Sequence, residues 1–150
     1  MINGVKIKKI RTHSDNRGYF REILRRDDKI FKKIAQVSIS LTKPGIIKAF
    51  HWHKNQDDVF YVLSGKALVI LHDLRKKSKT YKQASTFLID EKDQKLLFIP
   101  RKVAHGYKVL GKKPLILLYI MSNSYKRNKP DEQRIPYDSK EIRFDWSKYK

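Results

Sequence analysis

The chain has 150 residues, with 35 Lys and Arg, 15 Asp and Glu, and a formal net charge of +20 at pH 7. Its length fits one domain over residues 1–150, and a hydrophobic content of 40% excludes a wholly disordered basic chain. The lack of Cys excludes disulfides and thiolate metal sites, and no apolar run approaches the roughly 20 residues of a membrane span. We therefore expect a cytoplasmic protein without a membrane partner.

Short runs rich in Val, Ile, Phe and Tyr recur along the chain, as is typical of β-strands separated by turns. We predict strands over residues 5–11, 34–41, 46–53, 59–63, 66–74, 82–89, 96–99, 104–110 and 115–121. Residues 23–33 are the one segment predicted to hold a helix. Many short strands with almost no helix indicate an all-β sandwich or barrel. We expect the polar C-terminal tail to pack back on the barrel through its apolar residues, which are Ile135, Ile142, Phe144 and Trp146.

The net charge suggests a polyanionic partner such as nucleic acid, but the arrangement of the basic residues argues against one. They are spread from Lys6 to Lys150, and Lys outnumbers Arg by more than two to one, whereas bidentate readout favours Arg. The chain also lacks helix-turn-helix, zinc-finger and RNA-binding aromatic patterns. We predict a Lys-rich solvated surface, no nucleic-acid partner, and a few cations suited to a nucleotide diphosphate.

Three histidines and a carboxylate form the clearest chemical pattern. His51 and His53 are two residues apart, so they share a face if they lie on a strand. Asp58 follows them across a predicted bend, and His105 follows a separate predicted strand. Neutral imidazole and carboxylate groups suit a divalent metal, and they suit a metal-free acid–base site equally well.

This spacing resembles the two motifs of the cupin superfamily, G(x)5HxH(x)4E(x)6G and PxGxxH. The chain departs from them with Asp58 in place of Glu and Lys102 in place of Gly. The resemblance implies a cupin-type β-barrel, or jelly roll, with the short C-terminal tail packed on it. His13 and His72 have no such context, and we predict that both are surface residues.

Longer sequence blocks extend the pattern over residues 13–146. They are D-N-R-G-Y-F-R-E at 15–22, Q-V-S-I-S at 36–40, G-I-I-K-A-F-H at 45–51, D-L-R-K-K-S-K-T-Y at 73–81 and I-P-R-K-V-A-H-G-Y at 99–107. In order and spacing these blocks, followed by Tyr119 and Tyr125, resemble the dTDP-4-dehydrorhamnose 3,5-epimerase family.

The resemblance implies an epimerase of a nucleotide-diphosphate-linked 4-keto-6-deoxy sugar, in deoxysugar and surface polysaccharide biosynthesis. It implies no cofactor, and a homodimer in which an N-terminal segment helps to complete the partner's site. His51 would be the base that removes the acidic proton beside the ketone, and Tyr119 the acid on the opposite face. The implied substrate-binding residues are Arg17 and Lys48 at the diphosphate, Tyr125 at the nucleobase, and Phe20, Glu22, Gln36, His53, Asp58 and His105.

Two departures leave the exact reaction open. Asp58 stands where the family has a Lys near the substrate carbonyl. A carboxylate there would oppose the charge of an enolate unless it is protonated, bound to metal or itself catalytic. In addition, the sequence reaches Lys150 without the late S-x-K-D-like segment, whose Asp pairs with the family's catalytic His.

The sequence therefore leaves three alternatives to the epimerase function open. The block H-W-H-K at 51–54 resembles the dTDP-sugar 3,4-ketoisomerases, whose two histidines shuttle protons between neighbouring carbons. A second alternative is a metal-dependent cupin, with metal bound by His51, His53, Asp58 and His105. The third is a sugar-nucleotide-binding protein that has lost its catalytic activity.

Overall fold

The computed structural model describes residues 1–30 and 33–149. Its strands are β1 (Lys6–Lys9), β2 (Thr12–Asp15), β3 (Gly18–Arg21), β4 (Gln36–Thr42), β5 (Ile47–His53), β6 (Asp58–Ser64), β7 (Lys66–Asp73), β8 (Ala84–Asp90), β9 (Lys95–Ile99), β10 (Val103–Leu110), β11 (Leu115–Met121) and β12 (Glu132–Arg134). A 3-10 turn follows at Trp146–Lys148. Among the described residues, no helix is long and apolar enough to cross a membrane.

All nine predicted strands are confirmed, and their ends differ from the prediction by no more than two residues. The prediction missed the hairpin formed by β2 and β3 and the short strand β12. Their sequences, T-H-S-D, G-Y-F-R and E-Q-R, are mostly exposed, so they lack the apolar alternation that marks a half-buried strand.

The helix predicted over residues 23–33 is wrong for the part that the structure describes, where residues 23–30 form two short turns and irregular backbone. The Asp28 carboxylate accepts a hydrogen bond from the Arg25 backbone N–H at 2.7 Å, and the Arg25 guanidinium is held by Asp27 and Glu22. Such local side-chain bonds compete with helical backbone bonding. Phe31 and Lys32 lie outside the described residues.

Two five-stranded antiparallel sheets form the barrel. The first has the strand order β1-β9-β6-β11-β4, and the second has the order β12-β5-β10-β7-β8. Alternate residues of these strands point inward and meet in a shared apolar core. That core includes Val62, Val69, Leu97, Val109, Leu115 and Leu117. The arrangement confirms the predicted all-β jelly roll.

The C-terminal tail covers the outer face of the second sheet. Ile142 and Trp146 are buried there against Phe50, Leu68 and Ile70. The indole N–H of Trp146 donates to the Tyr137 carbonyl oxygen at 2.9 Å, which fixes the ring in place. The prediction that the apolar end of the tail packs back on the barrel is confirmed.

His72 corrects the prediction that it lies on the surface, because only 4% of it is exposed. It follows Leu68 and Ile70 on the face of β7 that the tail covers, so burial is a consequence of tail packing. Burial lowers the pKa of the His72 imidazole. His13, by contrast, is exposed on the β2–β3 hairpin, as predicted.

The carboxylate of Asp73 organises the loop after β7, although it is fully buried. It accepts hydrogen bonds from the Arg75 guanidinium at 2.7 and 2.8 Å and from the Ser78 and Thr80 hydroxyls at 2.6 Å. Burial opposes its ionisation, but these donors outweigh it and hold the pKa of Asp73 below its usual range. The motif D-L-R-x-x-S-x-T is thus a hydrogen-bonded loop centred on Asp73, and Arg75 and Thr80 also bond it to the backbone of Asn3.

We expect Asp73→Asn to lower the free energy of unfolding by about 3 kcal/mol, because it removes the buried charge that the half-buried Arg75 guanidinium and the two hydroxyls are arranged to bind. Asp138→Asn, at an exposed position, serves as the matched control. Since the pKa of Asp73 is lowered on folding, its stabilisation is present above the unfolded pKa of about 4 and is lost as the pH falls below that value. Urea unfolding at neutral and acidic pH measures both effects, and equal losses in the two variants would contradict the assignment.

Candidate active site

The histidine pattern folds into one cluster inside the barrel. His51 and His53 point inward from β5, and His105 stands directly opposite His51 on the neighbouring strand β10. The His51 and His105 rings have centroids 4.1 Å apart. Asp58 reaches the same point from β6 of the facing sheet, on the same face as the core residues Phe60 and Val62. One donor atom from each of His51, His53, Asp58 and His105 lies within 4.8 Å of the others.

Gly106 allows β5 and β10 to approach closely beside this cluster. A Cβ atom at position 106 would lie 2.3 Å from the Ala49 Cβ and 2.9 Å from the Lys48 carbonyl oxygen. The register between the two strands also shifts between His105 and Tyr107. The absence of a side chain at Gly106 is therefore a condition for the spacing of the His51 and His105 rings.

Asp58 is the centre of the cluster, and 2% of it is exposed. Its Oδ2 atom lies 3.2 Å from Nε2 of His53 and 3.2 Å from Nε2 of His105. Its Oδ1 atom accepts a hydrogen bond from the buried Gln56 amide at 2.8 Å. Burial alone would raise the pKa of Asp58, but contact with His105 and His53 lowers it below the usual range. The sequence left open whether Asp58 is protonated, bound to metal or catalytic, and this arrangement disfavours the protonated form.

The histidines differ in their electrostatic environments. His51 has its pKa lowered well below the usual value, first by burial and then by the nearby His105 and His53. Burial also acts to lower the pKa of His53, but contact with Asp58 outweighs it, so the pKa of His53 is raised. The cluster therefore holds a neutral His51 beside a His53–Asp58 pair.

Tyr119 projects into the barrel from β11 of the first sheet. Its hydroxyl lies 3.1 Å from the Ser40 hydroxyl and 3.1 Å from the Tyr107 hydroxyl, which in turn lies 3.0 Å from the Thr42 hydroxyl. Burial raises the pKa of Tyr119 above its ordinary value. The Phe60 ring lies between the two groups of polar residues, with centroids 5.1 Å from Tyr119 and 5.5 Å from His105.

The other sequence-predicted binding residues lie outside this cluster. Arg17, Phe20 and Glu22 belong to the exposed segment around the β2–β3 hairpin, where Arg17 pairs with Asp15 at 2.6 Å. Within the described residues this hairpin pairs with no other strand. Lys48 is exposed on β5.

Gln36 and Tyr125 are brought together by a hydrogen bond. The backbone N–H of Tyr125 donates to Oε1 of Gln36 at 2.7 Å, while the Tyr125 side chain is exposed. Gln36 also donates to the Ser38 hydroxyl at 3.0 Å, on the inward-facing side of β4. The two residues therefore lie side by side, with Gln36 on the inner face of β4 and the Tyr125 ring at the surface.

Sequence reasoning missed four residues of the site, namely Ser40, Thr42, Gln56 and Tyr107. Ser40 and Thr42 continue an alternation of polar and apolar residues that starts at Gln36. This alternation could have predicted a polar inner face on β4. Tyr107 ends the block I-P-R-K-V-A-H-G-Y, so its hydroxyl was also visible in the sequence. Gln56 lies in the bend before β6, and no periodicity predicts which way a bend residue points.

Comparisons with known proteins fit this geometry. The sequence profile of the dTDP-4-dehydrorhamnose 3,5-epimerase family matches residues 1–150. The chain belongs to this family. It is 46% identical over 147 residues to the spore coat polysaccharide biosynthesis protein SpsL of Bacillus subtilis, covering 98% of this chain and 97% of SpsL. The probable low-salt glycan biosynthesis epimerase Agl13 of Haloferax volcanii is 34% identical over 148 residues, covering 97% of this chain and 95% of Agl13.

Solved structures of epimerase-family proteins share the fold. A dTDP sugar isomerase from Desulfovibrio desulfuricans has a TM-score of 0.90 at 24% identity, covering 97% of this chain and 92% of that chain. A dTDP-4-dehydrorhamnose 3,5-epimerase from Bacillus anthracis has a TM-score of 0.84 at 25% identity, covering 97% and 87% respectively. The resemblance seen in the sequence is confirmed, and the chain is an enzyme of the isomerase class.

We expect Gly106→Ala to lower the free energy of unfolding by about 2 kcal/mol, because its methyl group overlaps Ala49 and forces β5 and β10 apart. Gly111→Ala, where a Cβ atom meets nothing within 4 Å but φ is +74°, measures backbone strain without a steric clash. Urea unfolding measures both variants. A loss of less than about 1 kcal/mol in Gly106→Ala would contradict a steric role for Gly106.

Proposed function

We propose that this protein epimerises a nucleotide-diphosphate-linked 4-keto-6-deoxy sugar by removing and returning a proton on a carbon beside the ketone. The observation that carries the proposal is the placement of His51 on β5 and Tyr119 on β11, in the two facing sheets of the barrel. An acid and a base on opposite faces of one sugar carbon are what inversion requires.

His51 is the proposed base. A proton beside a ketone is acidic because the electron pair left behind is delocalised onto the carbonyl oxygen as an enolate. An imidazole that stays neutral at physiological pH has a lone pair available for this proton. His51 is also only half-buried, whereas His53 and His105 are 8% and 1% exposed, which supports His51 as the histidine that meets the substrate.

Tyr119 is the proposed acid. A phenol is protonated at neutral pH, so Tyr119 has a proton to give, although burial raises its pKa and makes that proton harder to lose. After transfer, the phenolate would accept hydrogen bonds from the Ser40 and Tyr107 hydroxyls, both 3.1 Å away. Such prearranged donors stabilise charge where it develops, without reorganisation during the reaction.

The substrate class is inferred from relatives and from the surrounding cations. A Legionella pneumophila epimerase of the same fold was solved with dTDP-4-keto-L-rhamnose. We assign Arg17 and Lys48 to the diphosphate, Tyr125 to the nucleobase, and Phe20, Glu22 and Gln36 to the nucleotide end. His53, Asp58 and His105 would line the sugar subsite. The names of SpsL and Agl13 support a product destined for a surface polysaccharide or glycan.

The exposed hairpin supports a homodimer. Tyr19 and Phe20 are 66% and 65% exposed, although both are large and hydrophobic. Because β2 and β3 stand apart from both sheets, they are free to reach a second copy of the chain. In such a dimer Arg17, Phe20 and Glu22 would complete the partner's site.

The 3,4-ketoisomerase is the second candidate, and the inward orientation of both His51 and His53 favours it. Two bases on one face could move a proton between neighbouring carbons and thereby move the keto group. NMR of the product separates the two reactions, because epimerisation changes the configuration at C3 or C5 and leaves the ketone at C4.

We expect His51→Asn to reduce deuterium incorporation at C3 and C5 at least about 100-fold, because no other group replaces the base. The assay incubates a panel of nucleotide-linked 4-keto sugars in heavy water and follows exchange by NMR. His72→Asn is the control: His72 lies on the face of β7 that the C-terminal tail covers, outside the barrel interior, and the variant should retain full exchange. Exchange in none of the sugars by the unaltered protein would contradict the proposed function.

Tyr119→Phe should separate exchange from inversion. Removal of the hydroxyl leaves His51 able to take and return a proton, so exchange should fall less than about fivefold, while inversion should fall at least about tenfold. Tyr137→Phe is the matched control at an exposed position. Equal losses of exchange and inversion in Tyr119→Phe would show that Tyr119 is not the acid.

A further inference from the structure

The short strand β12 brings an arginine next to the proposed base. Arg134 stands directly opposite His51 in the ladder between β12 and β5. The next pair along, Phe50 and Ile135, exchanges two backbone hydrogen bonds, at 2.8 and 2.9 Å. Bonded and non-bonded pairs alternate along an antiparallel ladder, so His51 and Arg134 form a non-bonded pair, in which the side chains lie closest together.

Arg134 and His51 also share a face, because directly opposite residues of a sheet project to the same side. His51 points into the barrel, and Arg134 therefore extends along the same inner face at the sheet edge. The electrostatics agree with this placement. Burial and the neighbouring His105 and His53 lower the pKa of His51 most, and the charge of Arg134 lowers it further.

This edge of the barrel is the one that also holds Tyr125. β12 ends the second sheet and β4 ends the first. The other two edges, β1 and β8, meet each other, since the backbone N–H of Ile2 donates to the Ser85 hydroxyl at 3.3 Å. β4 and β12 therefore lie together at the remaining edge, where Tyr125 is bonded to β4. The pKa of Arg134 is raised first by its bond to Glu132 and, to a smaller extent, by Tyr125.

The guanidinium of Arg134 is oriented on one side and accessible on the other. Its Nε atom donates to Oε1 of Glu132 at 2.7 Å. The Arg134 side chain is 85% exposed and that of Glu132 31% exposed, so the cation reaches further out than the carboxylate. The two terminal Nη groups keep their N–H donors for a ligand. A planar guanidinium held in this way presents a fork that matches two oxygens of a phosphate.

We propose that Arg134 is a further substrate-binding residue, whose terminal N–H groups bind the diphosphate of the nucleotide sugar. The assignment rests on the proposed function, in which the diphosphate joins a nucleobase at Tyr125 to a sugar at His51. Lys48 carries a point charge and cannot make two parallel hydrogen bonds to one phosphate. Arg134 supplies the bidentate contact that Lys48 lacks.

The binding test uses the full-length protein and the diphosphates of thymidine, uridine, cytidine and guanosine, each titrated at one fixed ionic strength and followed by NMR. Arg134→Gln should weaken binding of the preferred diphosphate at least about tenfold, because charge-assisted hydrogen bonds are lost. Binding of the corresponding nucleoside should change less than about twofold. Arg134→Lys keeps the charge, loses the fork, and should weaken diphosphate binding about threefold to fivefold.

Arg143→Gln is the matched control, since it removes the same charge from an exposed position of the tail that covers the outer face of the second sheet. It should weaken diphosphate binding less than about twofold. Circular dichroism and a thermal melt exclude unfolding as the cause of any loss. In the deuterium-exchange assay Arg134→Gln should raise KM at least about tenfold and change kcat less than about threefold, because the diphosphate is bound equally before and during the reaction.

The outcomes separate this site from the proposed function, because diphosphate binding needs no sugar. Equal losses in Arg134→Gln and Arg143→Gln, in a protein that still exchanges protons, would overturn the site alone. A loss of nucleoside binding as large as that of the diphosphate, or a fall in kcat with unchanged diphosphate binding, would also overturn it. Binding of none of the four diphosphates would overturn both proposals. Selective loss of diphosphate binding, with exchange in no 4-keto sugar, would support the site and contradict the proposed function.

Discussion

A carboxylate buried inside the barrel is the constraint on which the rest of the site depends. Moving an ionised carboxylate out of water costs several kcal/mol unless neighbouring groups compensate for it. For Asp58 the neighbours are His53, His105 and Gln56, which come from the strands and the bend around it. They meet only because β5 and β10 approach closely at Gly106. The same packing places His51 next to the cluster.

The protein contains a second buried carboxylate that is compensated differently. The Asp73 carboxylate accepts hydrogen bonds from Arg75, Ser78 and Thr80, which all belong to the loop that follows it. Its partners are therefore close to it in the sequence. Asp58 instead faces two imidazole nitrogens from distant parts of the chain. Donors fixed in one loop stabilise that loop, whereas a buried carboxylate that meets titratable imidazoles is typical of a functional site. This contrast is the physical basis for treating Asp58 as functional and Asp73 as structural.

The charge of +20 resides on the surface. In the part of the chain that the structure describes, none of the buried residues is Lys or Arg. The buried polar groups are chiefly histidines, carboxylates and hydroxyls, which suits proton transfer more than polyanion binding. A strongly positive surface does raise the encounter rate of an anionic substrate such as a nucleotide sugar.

The sequence alone determined the strands, the inward face shared by His51 and His53, and the family. Strand periodicity and motif spacing are properties of the sequence itself, so they can be recognised before the fold is known. The helix expected at residues 23–33 was wrong because Asp28 bonds to the backbone of its own turn, and His72 was misplaced because only tail packing buries it. The contacts of Asp58 with His105 and of Tyr119 with Tyr107 were decided by the tertiary structure alone. They join strands of both sheets, and the distance between two such side chains depends on how the whole barrel closes.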